Sequence, residues 1–473
     1  MTDTPTTRLI VGPFNRVEGD LEVTLDVADG VVREARVTAP LYRGFEQILR
    51  GRAPEDALVI APRICGICSV SQSVAAARAL AQAAGIEAPA NGRLAADLVL
   101  AAENAADHLT HFVLFFMPDF ARAAYAGRRW HDAAVRRFAA TKGEAQSALV
   151  PARARFLHLM GLLAGKWPHS LAIQPGGTTK SIDSGERVRL VAILAEFREA
   201  LEKVVFADRL ETIAGLDSLA ALEAWADAAP MDQGDFRLFL HIARDLGLER
   251  LGRGPGAFLS HGSFDLWPAG VVMDGDSRPF DPALVAEDLT HAWMDAPTRP
   301  DADKPGAYSW CKAPRLDGRV AEVGALARQR VAGDPLAVDL VTASGGAVRD
   351  RVVMRMVELA RLVIAMEGWV RALKPGQPFC AESPQAWNGS GIGLTEAARG
   401  ALGHWLDIEH GVIHAYQIIA PTTWNFSPRD AAGTPGPLEQ ALAGTPAPPG
   451  ETTPVAVQHV VRSFDPCMVC TVH

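Results

Sequence analysis

The chain has 473 residues, 48% of them hydrophobic, enough to bury one large core with no disulfide framework or structural metal. Lys and Arg number 46 against 55 Asp and Glu, a net charge of −9 with no long run of one sign, which argues against nucleic acid as a partner. No run of about 18 apolar residues is present to span a bilayer. The N-terminus MTDTPTTRLIVGPFNRVEGD has neither a basic start nor an apolar signal core, so a soluble, cytoplasmic protein is expected.

The first forty residues read as β. Leu21, Val23, Leu25 and Val27 alternate with mostly polar residues, Asp29-Gly30 supplies a hairpin turn, and the pattern resumes at Val31. From Pro54 onward the texture is Ala- and Leu-rich with helical periodicity. It predicts helices over Val70–Ala84, Gly92–Met117, Ala152–Ala164, Glu186–Ala214 and Ala347–Leu373. The last has the clearest stripe: Val348, Val352, Met356, Leu359, Val363 and Met366 share a face. A Pro/Gly-rich connector, weakly structured, is expected over 433–454 before a short final segment. The chain contains no internal repeat. The whole, 1–473, reads as a single mainly helical domain of the α+β class with a β-rich element over 1–40.

Four of the six cysteines form two Cys-x-x-Cys pairs, Cys65/Cys68 and Cys467/Cys470; Cys311 and Cys380 stand alone and read as small core residues. Thiolates are soft ligands, and four together suit zinc, an iron–sulfur cluster or nickel. A structural zinc site is the plain reading of two such pairs, but zinc ribbons space them about 15–20 residues apart to close a small loop. Here nearly four hundred residues intervene, so a shared site ties together distant parts of an already well-cored protein. The company of each pair differs from a ribbon too: RICGIC at one, DPCMVCTVH at the other, the latter placing an Asp, two thiols and an imidazole within nine residues.

RICGIC and DPCMVCTVH are similar to the two signature motifs of nickel–iron hydrogenase large subunits. NRVEGDLEV, YRGFEQILRGR, DHLTHF, YSWCKAPRLDG, EAARGALGHW and YQIIAPTTWN also resemble family blocks, in family order, from Asn15 to His473. The resemblance implies the family's fold and its activity, heterolytic cleavage of dihydrogen. It implies Cys65 and Cys467 as terminal nickel ligands and Cys68 and Cys470 as bridges to an iron carrying one CO and two CN ligands. Arg399 and Thr422 match the donors to those diatomics, with Pro421 beside them. A guanidinium suits that task because it stays protonated and makes charge-assisted hydrogen bonds. The Cys467 thiolate would take the proton first and Glu18 would carry it away, provided burial lifts the carboxyl towards the working pH. Asp107 matches a buried aspartate near the arginine, and Asp465 is expected to support the centre. The resemblance further implies a Mg2+ ion held by Glu46, the Ile418 carbonyl and the His473 imidazole.

Four positions depart from the common family pattern. Gln72 stands where a His is usual, four residues past Cys68; Ile67 and Phe115 are bulkier than the Val and Leu frequent on the family's gas channel. These are features of the hydrogen-sensing branch, as is a chain made without a cleavable tail beyond His473. Ala398 also replaces the usual Pro before Arg399. The expectation is therefore a sensor that acts through a signalling histidine kinase; the alternative is an uptake enzyme feeding electrons to respiration. Because no second four-cysteine set is present, the electrons need iron–sulfur clusters in an obligate small subunit.

Overall fold

The computed structural model describes residues 6–382 and 386–471. Strands β1 (Thr7–Val11), β2 (Glu22–Ala28) and β3 (Val31–Thr38) form an antiparallel meander. The β2–β3 turn is where the sequence places it: Asp29 and Gly30 both have positive φ, 55° and 71°, as a two-residue primed turn requires. The inward residues Val23, Leu25, Val32, Ala35 and Val37 are buried.

Helices then take over. Helix α1 (Ser69–Ala84) follows the first cysteine pair directly, and α2 (Ala90–Thr110) runs on into a wider turn over His111–Phe116. The predicted stretch Ala152–Ala164 is two helices, Glu144–Phe156 and His158–Ala164, broken at Leu157. The predicted stretch 186–214 is also interrupted. A helix over Ser184–Ala200 widens through Leu201–Phe206, ends at Ala207 in the left-handed region, and restarts as Leu210–Ala214.

Periodicity did not reveal the β structure beyond residue 250. Strands β4 (Phe258–Ser263), β5 (Trp267–Met273) and β6 (Asp276–Arg278) form one sheet. After helix α3 (Val348–Ala372) come β7 (Gly389–Ala397), β8 (Gly400–Glu409) and β9 (Val412–Ile419), another antiparallel meander. Strand β7 lies on the backbone of α1. A Cβ on Gly391 would collide with the Ala79 carbonyl and one on Gly393 with the Ala75 carbonyl, so only glycine permits this approach. The 433–454 connector is more ordered than its composition predicts: it contains the helix Pro437–Leu442, with Leu438, Glu439 and Leu442 buried.

Helix α3 crosses the interior. Its predicted stripe is buried, but so are Arg351, Arg355 and Glu358 on its other faces. Arg351 makes a bidentate pair with Glu322, and Glu358 pairs with Arg328 and His108. The main apolar core extends from Val11 to Cys470, with a smaller separate cluster that includes Leu259, Ala401, Ile419 and Trp424. Among the described residues no helix is long and apolar enough to cross a membrane.

Candidate metal centre

The four paired cysteines converge. Their sulfurs all lie within 4.8 Å of one another, buried and unbridged. Cys65 Sγ is 3.4 Å from Cys467 Sγ, Cys68 Sγ is 3.2 Å from Cys470 Sγ, and Cys467 and Cys470 are 3.1 Å apart. Hydrogen bonding within the cluster, from Cys467 above all, draws the Cys65 thiol well below its ordinary range. The same bonding, with burial, pushes Cys68 and Cys467 well above it. The cluster alone thus cannot carry four negative charges, whereas a bound soft cation removes that limit. This donor set fits a nickel–iron pair.

Local structure fixes the sulfurs from several sides. Cys68 is the N-cap residue of α1, but its side chain accepts no N–H from the first turn. Glu103 from α2 substitutes, accepting the N–H groups of Val70 and Ser71 at 2.8 and 2.9 Å, the Ser71 hydroxyl and the Trp167 indole. Arg43 donates one nitrogen to the carbonyls of both Ile64 and Val469, so it braces the two cysteine motifs against each other. Glu18 makes a parallel bridge with Cys467: its N–H reaches the Pro466 carbonyl at 3.4 Å and its carbonyl receives the Met468 N–H at 2.7 Å. Burial raises the Glu18 carboxyl above its usual range; Cys65 adds to this, while Arg399 and Arg43 oppose it.

Arg399 occupies the turn between β7 and β8 and is 3% exposed, a buried guanidinium rather than a surface one. Its Nε donates to the Asp465 carbonyl at 2.9 Å, Nη1 to Asp107 at 2.7 Å, and Nη2 to Asp107 at 3.3 Å and Asp465 at 3.2 Å. Four of its five N–H groups are therefore engaged, leaving one on Nη1. Burial lifts the Asp107 carboxyl to about 7 against the pull of Arg399, whereas burial of Asp465 is outweighed by Arg399, His111 and Arg355, which hold it low. Thr422, one residue after Pro421 in the buried turn Pro421–Asn425, accepts the Cys467 N–H at 3.1 Å, which leaves its hydroxyl proton free to donate. Gln72 is fully buried on α1, with its Oε1 2.8 Å from His404. Ile67 and Phe115 are half-buried.

Of the expected magnesium ligands, Glu46 and Ile418 lie among the described residues. Glu46 is buried, and its Oε1 accepts the N–H of Ile418 at 2.8 Å, so Ile418 faces it through nitrogen rather than through a carbonyl oxygen. Lys312 donates to both Glu46 oxygens at 2.9 and 3.0 Å and pairs with Glu287 at 2.8 Å. Glu287 keeps one buried oxygen without a partner among the described residues. Two carboxylates around one ammonium retain a negative charge and suit a hard cation, with Lys312 as its competitor. His473 lies outside the described residues. Glu287 belongs to no motif and was invisible in sequence; Lys312, Arg43 and His404 sit inside the family blocks but among residues with no assigned task. Cys311 is buried in the core, as expected, but Cys380 is partly exposed.

Fold and site together define a metalloprotein whose centre is a buried nest of four thiols, clamped by an arginine and two aspartates. A family model described as nickel-dependent hydrogenase matches residues 43–133 and 148–473; the chain belongs to that family and is a hydrogenase. It is 32% identical to the periplasmic NiFeSe hydrogenase large subunit of Desulfomicrobium baculatum, over 98% of this chain and 95% of that protein. It is 27% identical to the quinone-reactive Ni/Fe-hydrogenase large chain of Wolinella succinogenes, over 99% of this chain and 96% of that one. The NiFeSe hydrogenase of Desulfovibrio vulgaris Hildenborough has the same fold, with a TM-score of 0.83 at 28% identity, covering 99% of this chain and all of that one.

Proposed function

We propose that this chain is the large subunit of a heterodimeric nickel–iron hydrogenase and that it serves as a cytoplasmic hydrogen sensor. The observation that carries the catalytic reading is the nest of four sulfurs with the Glu18 backbone pinned to Cys467. Cys65, Cys68, Cys467 and Cys470 would hold a nickel–iron pair, its iron bearing CO and two CN ligands, which would supply the centre at which dihydrogen is split. The chain supplies the rest. Cys467 accepts the proton at sulfur, and the Glu18 carboxyl, lifted by burial, relays it outward. Arg399 keeps one N–H and Thr422 its hydroxyl proton for the diatomic ligands, while Asp107 and Asp465 fix the guanidinium plane. Electrons leave through iron–sulfur clusters of a small subunit, since the only four-cysteine set among the described residues is the centre itself. The resemblance implies Mg2+ held by Glu46, the Ile418 backbone carbonyl and His473; buried Glu46 supports it, and Lys312 would have to yield the two Glu46 oxygens.

The sensing role rests on Gln72, Ile67 and Phe115, and implies a signalling histidine kinase downstream. A second reading, uptake of dihydrogen for respiration, is favoured by the likeness to a quinone-reactive enzyme. Elemental analysis with infrared spectroscopy tests the class: nickel, iron and three diatomic stretches are expected, and zinc alone would overturn it. Ile67→Val with Phe115→Leu tests the role. Activity that becomes oxygen-sensitive supports the sensor; a double variant as oxygen-tolerant as its parent favours uptake.

A further inference from the structure

Three arginines converge on a single carboxylate away from the thiol nest. Asp119, fully buried in the turn Met117–Ala121, accepts from Arg16 Nη2 and Arg462 Nη1, and Arg122 Nη1 lies 3.8 Å from it. His459, 3.7 Å from the same carboxylate, is neutral at neutral pH, because burial holds it down at about 4. Three positive charges thus meet one negative charge, a surplus of two.

The surplus faces a cavity of about 380 Å³ between the strip that follows β1, that turn and the helix Val455–Ser463. Arg16, Arg122 and Arg462 all line it, and no carboxylate does. Arg462 is fully engaged, its donors going to Asp119, Gln458 and Asn15. Arg16 spends one donor on the Phe115 carbonyl and one on Asp119, and Arg122 spends one on Gln458. A guanidinium has five, so three on Arg16 and four on Arg122 have no acceptor among the described residues. Water satisfies such donors but leaves the surplus charge in place; an anion cancels it. The rest of the wall is largely apolar, Val11, Phe14 and Pro118 among it.

We propose that this cavity binds a small phosphate monoester, its phosphate held by Arg16 and Arg122 and its organic group set against the apolar wall. Guanidinium forks match phosphate oxygens, and a monoester carries about two negative charges at neutral pH, as the surplus requires. The cavity also falls within the range of about 300–1,000 Å³ usual for small-molecule sites. Arg16 precedes Glu18 by two residues and holds the Phe115 carbonyl at 3.1 Å, so an occupant stiffens the strip that carries the proton relay. The site itself stands independently of the metal centre.

The test is titration calorimetry on the purified heterodimer at fixed ionic strength, with phenyl phosphate and inorganic phosphate as probes. Phenyl phosphate should bind once per large subunit and at least about tenfold more tightly than inorganic phosphate, since only its ring buries apolar surface. Amide exchange over residues 12–18 should slow on binding. Arg122→Gln removes the most exposed of the three arginines. It should keep the parental urea midpoint while weakening phenyl phosphate at least about tenfold. No binding by the parent, unchanged exchange over 12–18, or parental affinity in Arg122→Gln would each overturn the inference. Equal affinity for the two probes would overturn the monoester assignment, leaving a site for inorganic anions only. If Arg122→Gln lowers the urea midpoint, exchange in the parent protein still decides.

Discussion

Glu18 shows how much of a role is set by surroundings. Alone, a glutamate next to a strand is an edge residue facing solvent. Here its backbone pairs with Cys467 of the four-thiol nest and its carboxyl is raised by burial. Glu18→Gln should retain nickel while hydrogen–deuterium exchange with solvent falls at least about tenfold, because an amide cannot accept the proton. Exchange at the parental rate would assign the relay elsewhere. His404 allows a prediction about pH. Its folded value of about 3 lies below the ordinary 6.5, so the unfolded chain takes up a proton that the folded chain refuses. Stability from this residue is complete above pH 6.5 and is lost as pH falls towards 3, by about 3 kcal/mol near pH 4.5. His404→Gln should flatten that acid limb in urea unfolding followed across pH; an unchanged limb would show that other histidines dominate it. Residues inside motifs, such as Arg399 and Gln72, were legible in sequence. Glu103 and Glu287 were not, because a lone buried carboxylate carries no local pattern and its task depends on neighbours from other segments.

Elements were legible where one rule governed them. The β2–β3 hairpin follows from alternation and two turn residues, and α3 from its stripe. Elsewhere, two rules competed. Helical periodicity continued through Leu157 and Ala207, although the backbone breaks at both. The polar face of α3 reads as a solvent face, yet it is buried against ion pairs supplied by other segments. Strand β7, GSGIGLTEA, resembles a flexible loop because its glycines suppress strand propensity. Those glycines exist for contact rather than flexibility. Gly393→Ala should push β7 off α1, cost about 2–3 kcal/mol and displace Arg399 at the end of the strand. Activity should fall further than stability explains. A variant with parental urea midpoint and activity would mean that the sheet and helix part without consequence.

At the scale of the whole molecule, the centre joins the two cysteine motifs, which Arg43 and the Glu18–Cys467 bridge also hold together. The large helical core is apolar and continuous, and needs no metal to cohere. Removing the metals should therefore leave α3 protected while amide exchange rises at least about tenfold over residues 12–20 and 464–471, the two segments joined at Glu18 and Cys467. Uniform loss of protection would make the centre a determinant of the whole fold. The family could be recognised from sequence because its ligands lie in compact motifs at both extremes. The path of the chain between them could not, since it depends on packing of sheets on helices that no short window encodes.

The separation of 402 residues between Cys65 and Cys467 also sets a timetable. At about 5–20 residues per second, a ribosome needs roughly 20–80 s to deliver the second pair after the first. Through that interval Cys65 and Cys68 are two adjacent thiols with half a site, open to oxidation into a disulfide or to capture by whichever soft cation arrives first. The centre consequently cannot close until the second pair has been made. Correct loading depends on keeping an early-made pair reduced and empty until its late-made counterpart exists.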